Sequence, residues 1–600
     1  MKAVILAAGA GNRMRRLPDD PHKTLFEIGG KSIIGRIIDG LLANGISHGY
    51  IVTGYRADEL EHYVTSEFAG FRCTFIRNER YATTNNIYSM SLALEHADCD
   101  DGLLLIECDL IYEPKVLAKL IACPYPNAAL VDRYRIGLDG TVVAVSAGNV
   151  ITQVIPPSAQ GEMFDFSDKF KTLNIYKFSA QFCRGPFRKL LTYYTHNLDA
   201  NCYYEVILGV LVTLQQIEIH AEIIEGEVWA EVDDPNDLRA AEFAFAPAKR
   251  RQWLESSWGG YWSVPITDFA FIRNMYFPTP SMLSQLRAFL SELVLNYGSA
   301  QTILDRKLSY FLRCQPNHVH LLNGASQIFP IMRSWFRPER VLLPEPTFGE
   351  YNRCFPLASK YADRGSVALT GIDRFAATAE LIIVVNPNNP TGTTVTTDAI
   401  AELATRHNGK MILVDESFIE FSGQPSIIPW IEATDAQNVI VVKSLSKSLG
   451  VPGLRLGYIF TTNQPLSERI LAELPVWNTN SIAEFFLEML LKYPDELQSS
   501  VERTIGDRAR FVIELGDLQV VDQVYESGAN FILVALSIPH ALAEKLADVL
   551  LVDHNILVKD ISSKFSDGRA YWRLAVRTPP GNTALCSAIE SGFCQLDLVN

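Results

Sequence analysis

Short apolar runs alternate with longer stretches of helical period along most of the chain. Before about residue 245 the runs are VILAA, YIVTGY, LLLIECDL, NAALVD and TLNIYKF, and SIIGRIIDGLLANGI is one of the intervening segments. Runs of that length fit buried strands, whereas apolar residues recurring every three or four positions fit amphipathic helices. The alternation predicts an α/β domain over residues 1–245. The stretch EFAFAPAKRRQWLESSWGGYWSVPITD loses this rhythm to a basic cluster, a glycine pair and scattered aromatics, and we expect a packed connector over 246–270. A second α/β pattern occupies 271–600, with strands expected at VLLPEP, LIIVVNP, KMILVDES and NVIVVKS. From about residue 476 the pattern becomes mixed, which predicts a smaller α+β subdomain.

Composition narrows the picture. A chain of 600 residues exceeds what one hydrophobic core supports, and 48% apolar with 20% charged residues is ordinary for folded protein, so two or three domains are expected. No apolar run reaches the ~18 residues of a membrane span. A formal charge of −15 argues against nucleic acid or an anionic membrane held by a general basic surface; the expected partners are small molecules. Ten cysteines without a C-x-x-C pair suggest neither a zinc site nor a disulfide scaffold, and a reducing cytoplasm is the simple reading.

The chain begins MKAVILAAGAGNRMRRLPDDPHKTLFEIGG. Val4–Ala8 is shorter than the apolar region of a secretion signal, about 7 to 15 residues, and the arginines follow it instead of preceding it. It reads as a buried strand, retained in the mature protein, that feeds a tight glycine turn. The turn lacks the G-x-x-x-x-G-K-[ST] of a P-loop, and Met14 stands where a dinucleotide fingerprint needs its third glycine. LLLIECDL and VWAEVDDPNDL end two further apolar runs in Asp109 and Asp233. Carboxylates at such strand ends lie on the rim where open α/β sheets bind ligands, and the pair can hold one Mg²⁺. Asp234, just before Pro235, reads as a helix cap.

With L-A-A-G-x-G-x-R and Lys23 in PHKTLFEIGG, the first half resembles the nucleotidyltransferases that activate sugar phosphates and choline phosphate. His22-Lys23 in place of P-K, the stretch NERYATTNNIYSMSLAL and E-V-D-D bring it nearer the choline-phosphate cytidylyltransferases. The resemblance implies a Rossmann-like fold, CTP or another nucleoside triphosphate as donor, and Leu6, Ala8, Gly9, Gly11, Arg13, Lys23 and Asn85 around the nucleotide. Arg13 and Lys23 would offset charge on the leaving pyrophosphate. Asn85 and Ser89 would line the cleft, and Tyr176, Tyr203, Tyr204, Glu205 and Trp229 could cage an ammonium group.

In the second half KSLSKSLGVPGLRLGY resembles the cofactor-lysine segment of fold type I pyridoxal-phosphate enzymes, and GASQ, NPNNPTG and VDESF stand in that family's order. The resemblance implies pyridoxal 5'-phosphate joined to Lys447, with Asp415 on the ring nitrogen and Asn389 on the ring hydroxyl. Ala325, Ser326, Ser444, Ser446 and Arg455 would hold the cofactor phosphate. Tyr351, or alternatively Phe348, would stack on the ring. Tyr297 falls where a tyrosine reaches across a homodimer, and Arg573 matches the arginine that grips the substrate's anion. Phe418 departs from the tyrosine usual in the aminotransferases, and with Arg577 it leans toward threonine-phosphate decarboxylases rather than histidinol-phosphate aminotransferases.

The expectation is a bifunctional enzyme. The second half makes a small aminoalkyl phosphate or phosphonate with an amino-acid amine donor, and the first half activates it as a CMP derivative. Aminotransfer is the expected reaction, with decarboxylation of phosphoserine or phosphothreonine as the alternative; a sugar-nucleotide enzyme fused to a sugar aminotransferase is a further one. Ethanolamine phosphate, serinol phosphate, 2-aminoethylphosphonate and choline phosphate are the candidate acceptors.

Overall fold

The computed structural model describes residues 1–597 except 12, 15–20, 162–163, 364–368 and 370. Chain contacts divide it into two compact units, Met1–Pro265 and Ile266–Asn600.

In the first unit the strand Lys2–Ala7 lies inside a nine-stranded sheet, parallel to His48–Thr53 on one side and Leu103–Glu107 on the other. Successive side chains of a strand point to opposite faces. Ala3, Ile5 and Ala7 therefore enter one buried cluster, and Val4, Leu6 and Ala8 enter another. Helix Ile33–Ala43 packs onto the first face and helix Asn86–His96 onto the second, which is why the run is apolar without alternation. Phe170–Phe178 runs antiparallel to Leu103–Glu107, and Ala128–Arg133 and His220–Ile223 follow beyond it.

The stretch expected to connect the halves contains a helix of the first unit, Arg250–Ser257, with the Phe243 and Trp253 rings 5.2 Å apart. Further on, Thr267–Asp268 pairs in parallel with Ile556–Leu557 inside the second unit.

The second unit holds a seven-stranded sheet in the order Val319–Asn323, Leu456–Phe460, Val439–Ser444, Met411–Asp415, Leu381–Val385, Val341–Glu345, Ser359–Ala362. All but Leu456–Phe460 run the same way. Asp415 and Ser444 thus sit at adjacent carboxyl ends, where such sheets bind ligands. A four-stranded antiparallel sheet, Val521–Val524, Phe531–Leu536, Ala570–Ala575 and Lys559–Asp560, has its own core around Phe511, Trp572 and Leu546. Among the described residues no helix is long and apolar enough to cross a membrane.

Candidate active sites

Asp109 follows the strand Leu103–Glu107, and Asp233 follows Trp229–Glu231, which pairs with Leu110–Tyr112. That pairing brings two carboxylates, remote in sequence, to one place. Lys23 lies between them, its Nζ 2.8 Å from Asp109 Oδ2 and 3.1 Å from Asp233 Oδ1. Arg13 reaches Asp233 at 2.5 Å and Asp139 at 3.3 Å. Burial opposes charge at Lys23, yet Asp109 raises its pKa above the ordinary value; burial likewise opposes Asp109, and Lys23 holds it below. Gly11 has φ 59°, and a Cβ there would lie 3.1 Å from Lys23 Cδ, so the turn closes over the lysine as only glycine easily permits. Leu6 and Ala8 are buried, the Ala8 carbonyl accepts from Tyr55 N, and nothing would meet a Cβ at Gly9. Asp109 Oδ1 is buried without a partner, which fits a hard cation with oxygen ligands.

His22 explains its own place before Lys23. It is buried, its Nδ1 accepts from Thr24 N, and it caps the turn Lys23–Leu25. Burial and then Lys23 lower its pKa to about 4, so the ring stays neutral. Asp234 caps the helix Pro235–Phe245 in a reciprocal pair with Asp237, as its position before Pro235 implied.

Other residues have local partners, and one expectation, the ammonium cage, needs correction. Asn85 commits its side-chain oxygen to Asn86 N as a helix cap, and Ser89 accepts from Asn78; it is Asn86 that donates to Glu107, at 3.0 Å. The five-residue ammonium cage is not assembled. Trp229 packs on the opposite sheet face from Tyr176 and Tyr204 and donates to Asp132, while Tyr203 is 47% exposed. Tyr176 and Tyr204 do meet, with centroids 6.0 Å apart, beside Glu205. Their hydroxyls and Glu205 Oε2 are buried and unpartnered. Burial, foremost, lifts Glu205 and Glu231 to about 7 and Glu107 well above the carboxylate range. Lys171, 3.1 Å from Glu231, joins this group. Sequence reasoning gave no role to Glu107, Glu231 or Lys171, although Glu231 opens the E-V-D-D stretch; the signal available was charge inside apolar strands.

In the second unit Ser326 accepts from Arg455 Nη2 at 3.0 Å at the turn Ala325–Gln327, which leads into helix Ile328–Trp335. A Cβ on Gly457 would lie 2.4 Å from Ala325 N, so strand and turn approach as a cup. Ser446 Oγ is buried and unpartnered, and Ser444 N donates to Ser417 Oγ. Asp415 accepts from Ser417 and, at 2.9 Å, from Tyr351; burial foremost raises its pKa. Burial, then Arg573 and Arg455, lowers Lys447 to about 8. Arg573 donates to Asn389 Oδ1 at 2.9 Å and to the Ala270 carbonyl, and its pKa falls to about 10 through burial. Arg577 donates to the Asp268 carbonyl. These residues suit pyridoxal phosphate: a cup with free hydroxyl capacity, a buried carboxylate and a lysine close to neutrality.

Two further placements matter. Tyr351 is buried and its hydroxyl donates to Asp415, while Phe348 is 37% exposed. Phe418 packs edge-on against Phe531, centroids 5.2 Å apart. Tyr297 is 79% exposed and stacks on Trp477 at 4.5 Å.

Strand-end carboxylates beside a lysine in one unit, and a phosphate cup, aspartate and lysine in the other, define a nucleotidyltransferase joined to a pyridoxal-phosphate enzyme. The chain belongs to the aminotransferase class I and II family, whose model matches residues 290–589, and a MobA-like NTP transferase domain matches residues 3–152. Pyridoxal phosphate and Mg²⁺ are the cofactors these families imply. A CMP-5'-(3-aminopropyl)phosphonate synthase of Streptomyces rubellomurinus is 31% identical over 98% of this chain and 94% of its own length. A histidinol-phosphate aminotransferase of Ruminiclostridium cellulolyticum is 26% identical over 44% of this chain and 78% of its own. An L-serine phosphate decarboxylase of Sulfurospirillum multivorans is 27% identical over 52% of this chain and 82% of its own. The chain is thus a bifunctional enzyme with a nucleotidyltransferase and a pyridoxal-phosphate-dependent part.

Proposed function

We propose that the second unit decarboxylates an amino acid bearing a distal phosphonate, and that the first unit links the resulting aminoalkylphosphonate to CMP, with CTP as donor. The charge around Arg573 carries this reading. Arg573 and Arg577 make no ion pair with a carboxylate among the described residues, although Asp268 favours their charge from further off. A substrate with one carboxylate balances one such cation, whereas a carboxylate plus a phosphonate balances both. A relative that spans the chain is named for a product with an amine and a phosphonate but no carboxylate, and loss of CO₂ from 2-amino-4-phosphonobutyrate gives that carbon chain.

In the second unit Ser326, Ser444, Ser446 and Arg455 would hold the cofactor phosphate, with Asn389 and Asp415 on the ring. Pyridoxal phosphate supplies a sink for the electron pair of a broken Cα bond. Loss of CO₂ from Cα would leave an electron pair there, and Lys447 would return a proton to that atom. In the first unit a phosphonate oxygen attacks the α-phosphorus of CTP, the bond to the bridging oxygen breaks, and pyrophosphate leaves. The attacking oxygen is already ionised, so no general base is required. Amides of Ala8 to Gly11 with Arg13 and Lys23 take the charge of the triphosphate. Asp109 and Asp233 would hold Mg²⁺, which polarises the phosphoryl group. Glu205, with Tyr176 and Tyr204, would take the acceptor's ammonium group. The exposed Tyr297–Trp477 pair supports a homodimer, and the cysteine usage supports a cytoplasmic enzyme.

Incubation with 2-amino-4-phosphonobutyrate should release CO₂, and added CTP should release pyrophosphate; release of neither would refute the proposal. A second reading, aminotransfer to a phosphonate-bearing aldehyde, is favoured by the match of this unit to the aminotransferase class I and II model. Amine formation that depends on glutamate or alanine and yields no CO₂ would establish it.

A further inference from the structure

We propose that Lys564 and Arg573 together hold the phosphonate of the second unit's substrate, and that Lys564 distinguishes phosphonate-bearing amino acids from ordinary ones. This rests on the reading of that unit as an enzyme of phosphonate-bearing amines. Lys564 ends a single turn, Ser562–Lys564, that is fixed on all sides. Ser562 donates from N and Oγ to Asp560 Oδ1 and accepts from Tyr571 N, and Phe565 stacks on Tyr571 at 3.9 Å. Lys559, at the start of this segment, lies opposite Arg573 in the antiparallel ladder. The turn therefore mounts Lys564 beside the strand that carries the substrate arginine.

Its ammonium donates to the Thr347 carbonyl, the residue before Phe348, and a Cβ on Gly349 would lie 3.9 Å from Nζ. Among the described residues Lys564 has no carboxylate ion pair, and its other donors are uncommitted. Burial, then Arg573 and Lys559, brings its pKa down to about 8, while Arg573 is itself buried. Two like charges in a half-buried site are costly until an anion joins them. A carboxylate needs only the arginine fork. A phosphonate dianion, with three oxygens, uses the fork and a point charge beside it. With the phosphonate held here, the arginine fork would not be taken up by the α-carboxylate, which decarboxylation requires to be free to leave.

The holoenzyme can be titrated with 2-amino-4-phosphonobutyrate and with norvaline, its analogue with methyl in place of phosphonate, following the cofactor absorbance. Lys564→Met should weaken binding of the phosphonate about 10- to 100-fold, the value of a lost hydrogen bond to a charged group, and leave norvaline unchanged. Lys564→Arg should retain most of the affinity. Lys564→Gln serves if the methionine variant does not fold. Equal weakening of both ligands, or of neither, would overturn the assignment. A wild-type cofactor spectrum indifferent to both ligands would instead sink the reading of the whole unit, and the role of Lys564 with it.

Discussion

A lysine attacks a carbonyl only as the neutral amine, and Lys447 reaches that state early because burial, then Arg573 and Arg455, bring its pKa to about 8. The neutral fraction grows as pH rises through that value. The rate of pyridoxal-phosphate attachment to apoenzyme should therefore climb with pH and level off above it. Arg573→Met, which removes a neighbouring cation, should move the midpoint upward; stopped-flow absorbance across pH measures both. In the first unit, Asp109→Asn and Asp233→Asn should each cost nucleotidyl transfer about 100-fold or more at low Mg²⁺. Pyrophosphate release across a Mg²⁺ titration checks this, and normal turnover in both would remove the metal assignment. These residues were legible because each ends an apolar run or sits in a recognisable spacing. Glu107, Glu231, Lys171 and Lys564 were not, since each acquires meaning only from neighbours far along the chain.

The phosphate cup depends on an element meeting a turn. Gly457 is the second residue of the strand Leu456–Phe460, and a Cβ would lie 2.4 Å from Ala325 N and 2.9 Å from the Lys443 carbonyl. Gly457→Ala must push the turn, and Ser326 with it, away from Arg455. Its pyridoxal-phosphate affinity should fall about tenfold or more, since a shifted cup loses at least one charge-assisted bond. Equilibrium dialysis measures the loss, and pyrophosphate release should stay intact. The same scale sets the place of Tyr351. Its place in PTFGEY sets it near the cofactor, but the short helix Gly349–Cys354 turns it toward Asp415 and the core.

Each unit carries its own buried clusters, so the two activities should be separable by single substitutions. Lys447→Ala should abolish the cofactor band and all amine chemistry while leaving CTP-dependent pyrophosphate release with a supplied aminoalkylphosphonate. Loss of both in a folded variant would contradict two independent sites. Tyr297→Asp places a charge on the exposed aromatic pair and should shift the enzyme from dimer to monomer in light scattering, with weaker cofactor retention. An unchanged mass would refute the proposed role of Tyr297.

The sequence by itself determined the two α/β patterns, the strand-end aspartates, the glycine turn with Lys23, and the ordered signatures around Lys447. These are local: an apolar run, a glycine where backbone must approach, a cap before proline. Tertiary structure alone decided that Lys23 lies between Asp109 and Asp233, 86 and 210 residues away. It also decided that Trp229 lies across the sheet from Tyr176, and that Arg573 is held by Asn389, 184 residues away. Strand order and register bring such residues together, and both follow from the packing of whole sheets, which no short stretch of sequence contains.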